Sequence, residues 1–197
     1  MPEMIEEPTK GTGEAQAAPL KTLVESLLFV SDEPVSVDKL AAVLGATREE
    51  IDAVVEQLAI DYDARGFRLQ RKGSSVQIVS APEAAEFIRR FLGLETSGRL
   101  SAAALETLAV IAYRQPVTRS QIQAVRGVDS DSVLRTLLSQ GLIEEQGRLE
   151  RAGRPILYGT SFEFLQHFGL RDLGQLPPLQ EGDHARPGST GDRTERR

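Results

Sequence analysis

The sequence predicts a mainly α-helical chain with small β-hairpin wings, organised as two tandem winged helix-turn-helix domains between disordered tails. Three observations predict it. Pro34, Ser36, Leu40, Val43, Gly45 and Ile51 are echoed by Pro116, Thr118, Ile122, Val125, Gly127 and Val133, every pair 82 positions apart, and a repeat of that length is a whole small domain. Each copy carries an apolar helix, a proline turn, a capped second helix stopped by glycine, a third helix and a hairpin. The flanks, residues 1–19 and 180–197, lack apolar periodicity and are crowded with Gly, Ser, Thr, Pro and charge.

The first domain is predicted over residues 20–80. It opens with Leu20, Leu23, Val24, Leu27 and Leu28, a stripe at helical spacing that buries one face. Pro34 breaks the chain, Ser36 caps a second helix through Leu44, and Gly45 stops it. Thr47 with Glu50 makes a capping box for a third helix running to Tyr62, and Phe67–Arg71 and Val76–Val79 flank Gly73 as a two-stranded wing. Residues 81–98 connect the copies. There Ser80 with Glu83 caps a short helix to Leu92, and Gly93, Ser97 and Gly98 mark a hinge.

The second domain is predicted over residues 99–179. Ser101 caps a helix burying Leu105, Leu108, Ala109 and Ala112, Pro116 breaks it, and Thr118 with Gln121 forms another capping box before Gly127. Asp129 or Ser130 caps the third helix, which runs through Leu134, Leu137 and Leu138 to Gly141. Leu142–Glu145 and Ile156–Thr160 supply the second hairpin.

At 197 residues and 40% hydrophobic content the chain has room for one or two compact domains. The absence of cysteine excludes a disulfide framework and thiolate metal sites, and fits a cytosolic address. Residues 1–19 show neither the basic nor the apolar stretch of a signal peptide, and no apolar run reaches membrane-spanning length. The only histidines are His167, among phenylalanines, and His184, in the second tail, so no Ser-His or Cys-His pair is credible. The phosphate-loop pattern is missing, and Gly11 with Gly13 makes no nucleotide fingerprint. The chain reads as a non-enzyme with no catalytic residue, cofactor or metal.

Third helices of such domains usually insert their first side chains into the major groove. Here the first copy carries Glu49, Glu50, Asp52 and Glu56, and the second places Asp129 and Asp131 at the entrance with only Arg135 behind them. A carboxylate about 4 Å from a phosphate costs roughly 1 kcal/mol even in water. The same acids also favour the helix N-termini, each by about 0.3–1 kcal/mol. Either way groove reading is disfavoured, and the net charge of −6 points the same way. The wings leave a second route to nucleic acid, through Arg65, Arg68, Arg71 and Lys72 on the first and Arg148, Arg151 and Arg154 on the second. They grip phosphates, as in a dimeric transcription regulator, or they are solvated edges that discourage sheet aggregation.

A repeat of about 70 residues hides only about 60% of its unfolded surface, so burial against a partner is a natural remedy. Phe162, Phe164, Leu165, Phe168, Leu170, Leu173 and Leu176 crowd into one stretch that completes the core, receives a partner helix, or does both. In the first copy, Val24, Leu27, Leu28, Val54, Val55, Leu58 and Tyr62 serve the core or a dimer seam.

The wording of four blocks, LETLAVIAYRQPVTR from Leu105 to Arg119, VRGVDS from Val125 to Ser130, GRLERAGRPILYGT from Gly147 to Thr160 and FLQHFGLRDLGQLPPL from Phe164 to Leu179, closely resembles the segregation and condensation protein B family. One departure is Ala152, where that family commonly has Pro before the Gly-Arg-Pro of the second wing. The resemblance implies a non-catalytic subunit of the bacterial SMC complex, cytoplasmic and nucleoid-associated, acting in chromosome condensation and segregation. It implies a homodimer built through the N-terminal winged helix, with C-terminal winged helices embracing the central segment of the kleisin subunit. The SMC ATPase is then contacted indirectly, DNA at most weakly, and a membrane not at all. Carried onto this sequence, the kleisin contacts are Tyr113, Gln115, Pro116, Arg126, Arg154 and Tyr158, with Phe162 and Phe168 nearby. Ordinary roles stand beside these. Pro116 shapes its turn, Tyr158 fills the core side of a strand, and Arg126 caps the helix before Gly127.

Overall fold

The computed structural model describes residues 18–93 and 99–179. The predicted tails, apart from Ala18 and Pro19 at the end of the first, and the hinge positions Ser97 and Gly98 lie outside the described residues, as does His184. The described chain is mainly helical with two small antiparallel sheets. Its first half runs α1 (Leu20–Val30), β1 (Val35–Ser36), α2 (Val37–Leu44), α3 (Arg48–Tyr62), β2 (Phe67–Lys72) and β3 (Ser75–Ser80), followed by a 3₁₀ turn (Pro82–Ala84) and α4 (Ala85–Phe91). Its second half repeats the order as α5 (Ala102–Arg114), β4 (Val117–Thr118), α6 (Arg119–Arg126), α7 (Asp131–Ser139), β5 (Ile143–Arg148) and β6 (Ile156–Thr160), followed by α8 (Phe162–Phe168) and a 3₁₀ turn (Leu173–Gln175).

The repeat is strictest where local chemistry is strongest. β1 and β4, α2 and α6, and the left-handed glycines Gly45 (φ 64°) and Gly127 (φ 71°) all keep the spacing of 82 read from the sequence. Ser36 accepts a hydrogen bond from the Lys39 amide, and both expected capping boxes form, at Thr47–Glu50 and Thr118–Gln121. Each box satisfies two amides that the helix cannot. Beyond these points the copies diverge, because α3 has 15 residues and α7 only 9.

Four local expectations are corrected. Each hairpin is joined by a third strand, in the orders β1-β3-β2 and β4-β6-β5, because the two residues after each proline turn extend and bury Val35 and Val117 against the sheet. On α5 the buried face is Ala104, Thr107, Leu108, Ile111 and Ala112, while Leu105 and Ala109 are exposed. Two adjacent stripes compete on this alanine-rich helix, and the one carrying Ile111 wins. Ser130 stands at the start of α7 without capping it, since its hydroxyl donates to the Val128 carbonyl and accepts from Arg126. Ser80 stays in β3 and leaves α4 uncapped, and Glu83 pairs with Arg68 instead.

Two separate apolar clusters hold the halves. The first centres on Val24, Leu40, Ile51, Leu58 and Tyr62, and the second on Leu108, Ile111, Ile122, Leu137 and Leu165. Burying one such aliphatic side chain contributes about 1.5–3 kcal/mol, so each cluster outweighs any surface ion pair in its half. Phe164 and Leu165 complete the second cluster, with Phe162, Leu170, Leu173 and Leu176 packed against it. Among the described residues no helix is long and apolar enough to cross a membrane.

Candidate partner-binding surface

The acidic helix entrances are occupied by the protein's own chemistry. Glu50 closes its capping box on the Thr47 amide at 2.8 Å, and Asp52 lies 2.7 Å from Arg71 and 3.8 Å from Arg48. Asp129 and Asp131 both pair with Arg119. Four of the seven hairpin cations are paired with acids as well. Arg68 donates to the carbonyls of Tyr62, Arg65 and Phe67 and to Glu83, Arg71 pairs with Asp52, Lys72 with Glu144 and Arg154 with Glu150. A cation already neutralised releases fewer counterions from a phosphate backbone, so these four are poor grips for a duplex.

The eight residues singled out from the sequence do not form one patch. Tyr113, Gln115 and Pro116 sit together at the end of α5 and the turn into β4. The Tyr113 hydroxyl donates to the Pro177 carbonyl at 2.6 Å, and Pro116 is exposed. The Gln115 Oε1 accepts from the Thr160 amide at 2.8 Å and hydroxyl at 3.1 Å, tying the end of α5 to β6. Tyr158 lies on β6 opposite Val117, 9% exposed, and burial pushes its hydroxyl above the ordinary tyrosine range, with Glu145 adding to the shift. Phe162 follows on α8 and, with Gln115, lines a cleft of about 570 Å³. A bulge between Glu145 and Gly147 brings Gln146 into the same cleft.

The other three stand apart. Arg126 is held against Glu106 and Ser130, both at 3.2 Å, with its side chain 7% exposed and its Nε buried without a partner. Arg154 stands at the tip of the second hairpin at φ 37°, beside Gly153 at φ 83°. Phe168 is half exposed and packs on Phe164, ring centres 4.9 Å apart.

Sequence reasoning missed two apolar surfaces. Phe87, Phe91 and Leu92 project from α4 with 69%, 88% and 58% exposure, and Phe29 and Val30 are bare at the end of α1. Beside Phe29 runs an apolar groove of about 720 Å³ lined by Leu28, Tyr62, Phe67, Ile78 and Val79. The second surface comprises the exposed Leu105, Val125 and Val128, neighbours in sequence of the paired Glu106 and Arg126. Both had a signal. Apolar residues four apart on a helix otherwise read only as a connector, and apolar residues lying off the core stripe of α1, mark surface that its own half does not cover. Among the described residues no group of three or more His, Cys, Asp or Glu is placed to hold a metal ion.

Comparison with known proteins matches residues 22–179 to the family model described as segregation and condensation complex subunit ScpB. The chain is 47% identical over 170 residues to segregation and condensation protein B of Symbiobacterium thermophilum, covering 85% of this chain and 77% of that protein. Among solved structures, ScpB from Mycobacterium tuberculosis is 38% identical over 77% of this chain and 95% of that chain, with a TM-score of 0.38. A dimer of the ScpB N-terminal domain complexed with ScpA peptide is 34% identical over 37% of this chain and 94% of that chain, with a TM-score of 0.35.

Proposed function

The chain belongs to the family of segregation and condensation complex subunits ScpB, and from that premise we propose that it is a non-catalytic adaptor of an SMC-kleisin complex. Residues 20–80 and 99–179 act as two winged helix-turn-helix domains joined by residues 81–98, the first for dimerisation and the second for holding the central segment of the kleisin, ScpA. The setting is the cytoplasm at the nucleoid, in chromosome condensation and segregation, with the SMC ATPase reached through the kleisin.

One observation carries this reading: the third-helix entrances that would meet DNA are acidic and four of the seven wing cations are already paired, while apolar side chains stand bare on both halves. Such surfaces suit polypeptide. The first half offers a self-complementary pair, a ridge of Phe87, Phe91 and Leu92 and the groove beside α1, and a two-fold dimer needs both on one patch. Charge agrees, since Arg89 and Arg90 lie within the ridge helix while Glu25 lines the groove. A second copy is therefore the occupant of that groove. On the second half, Tyr113, Pro116, Tyr158 and Phe162 form the kleisin-facing end, with Arg126 and the exposed Leu105, Val125 and Val128 as a further contact.

The test is co-purification of the full chain with a central ScpA fragment, the mass read by light scattering. A stable complex holding two copies of this chain is expected. Duplex DNA binding that is tight alone and weakens by orders of magnitude between about 50 and 200 mM salt, without kleisin association, would mark a transcription regulator instead.

A further inference from the structure

The two halves meet through polar contacts. The Arg71 amide on the outer edge of β2 donates to the Arg171 carbonyl at 2.8 Å, and the Gln70 side chain, on a residue 2% exposed, donates to the Leu170 carbonyl at 2.7 Å. Lys72, at the end of the strand, pairs with Glu144, and its ammonium lies 6.0 Å from the centre of the Phe162 ring. Arg171 reaches Asp63 at 3.9 Å. The two buried cores stay separate, so this joint has no shared apolar interior. Joints of that kind within one chain open and close more readily than apolar ones.

What the joint covers gives it a consequence. The hairpin turn from Lys72 to Ser75 faces Gln115, Gln146, Phe162 and Leu173 across the cleft of about 570 Å³. Phe162 belongs to the kleisin-facing end assigned above, and Gln115, between Tyr113 and Pro116 of that end, lines the cleft beside it. We propose that the joint is a gate: with β2 latched by Leu170 and Arg171, the first hairpin masks the Gln115–Phe162 end of the surface, and the kleisin engages that end only once the latch is released. This rests on the partner reading above and adds regulation to it.

The latch has a defined weak point. Lys72 is 13% exposed and Glu144 45%, so reversing the charge of Glu144 sets two cations against each other at the edge of the cleft. Apparent affinity scales with the fraction of molecules in the competent state. Glu144→Lys therefore binds the kleisin fragment several-fold more tightly than the unmodified chain, and adding Lys72→Glu returns the affinity to its starting value.

The decisive experiment locks the gate. The chain has no cysteine, so K72C/E144C joined by a cleavable bis-maleimide modifies this joint alone. Calorimetric titration with the central ScpA fragment is expected to show at least tenfold weaker binding in the locked form, restored on cleavage. Equal affinity before and after cleavage overturns the gate and leaves the partner reading intact. Failure of the linker to join the two positions overturns the closed arrangement itself. No binding by the cleaved form removes the partner reading, and the gate with it.

Discussion

Tyr62 shows how much one side chain decides in the first half. Its ring meets Phe67 edge-on at 4.6 Å, closing α3 onto β2, and its hydroxyl donates to Glu25 on α1 at 2.7 Å. Burial, and then the bond to Glu25, push its ionisation well above the ordinary tyrosine range. Tyr158 is shifted the same way, with burial again the first cause. A group whose folded value is raised stabilises the fold fully below its unfolded value, near 10, and that contribution is lost as pH rises through the folded value. Spectrophotometric titration of the native protein is thus expected to find Tyr62 and Tyr158 ionising late, with Tyr62→Phe removing one late step and lowering stability by about 1 kcal/mol. Two late tyrosines in that variant would place the shift elsewhere. Gln115 and Arg126 carry the matching lesson about legibility. Both were assigned partner contact through the family resemblance, and the structure adds what the sequence does not show, that the Gln115 carbonyl accepts from Thr160 and that Arg126 is nearly buried against Glu106. A residue type at a position does not disclose which of its hydrogen bonds are already used.

At the scale of elements, what was legible is what neighbours in sequence settle. Caps and left-handed glycines depend on residues three or four apart, so Ser36, both capping boxes, Gly45 and Gly127 were all readable. Misreadings fell where a distant partner competes. Glu83 was placed in a cap and lies with Arg68 across the hairpin, and Leu105 was placed in the core and faces out. The short strands β1 and β4 escaped notice because two residues carry no alternation to read. This contrast is measurable by urea unfolding. Thr118→Ala removes a side-chain cap and is expected to cost about 1 kcal/mol, whereas Ser80→Ala, at an unused cap, stays within about 0.5 kcal/mol. Equal losses would mean that Ser80 caps α4 after all.

For the whole molecule, the proposed dimer makes a specific claim about where a second copy sits. The ridge on α4 and the groove beside α1 leave large apolar side chains in water, which a lone chain gains nothing by keeping. Replacing Phe87 and Phe91 together by Glu puts two charges on the ridge without touching either core cluster. The expected product is a monomer by light scattering with unchanged helical circular dichroism. A variant that remains dimeric would move the seam to another face.

Read alone, the chain of residues determined the repeat, the helix order, the caps and the family resemblance, because each is written in spacing and composition along a line. Tertiary structure decided which stripe of α5 turns inward, how the hairpin cations are spent, and that the first hairpin stands over the second half's cleft. Those outcomes depend on which groups compete for one partner in space. Lys72 and Glu144 are far apart in sequence and meet only once both halves have folded.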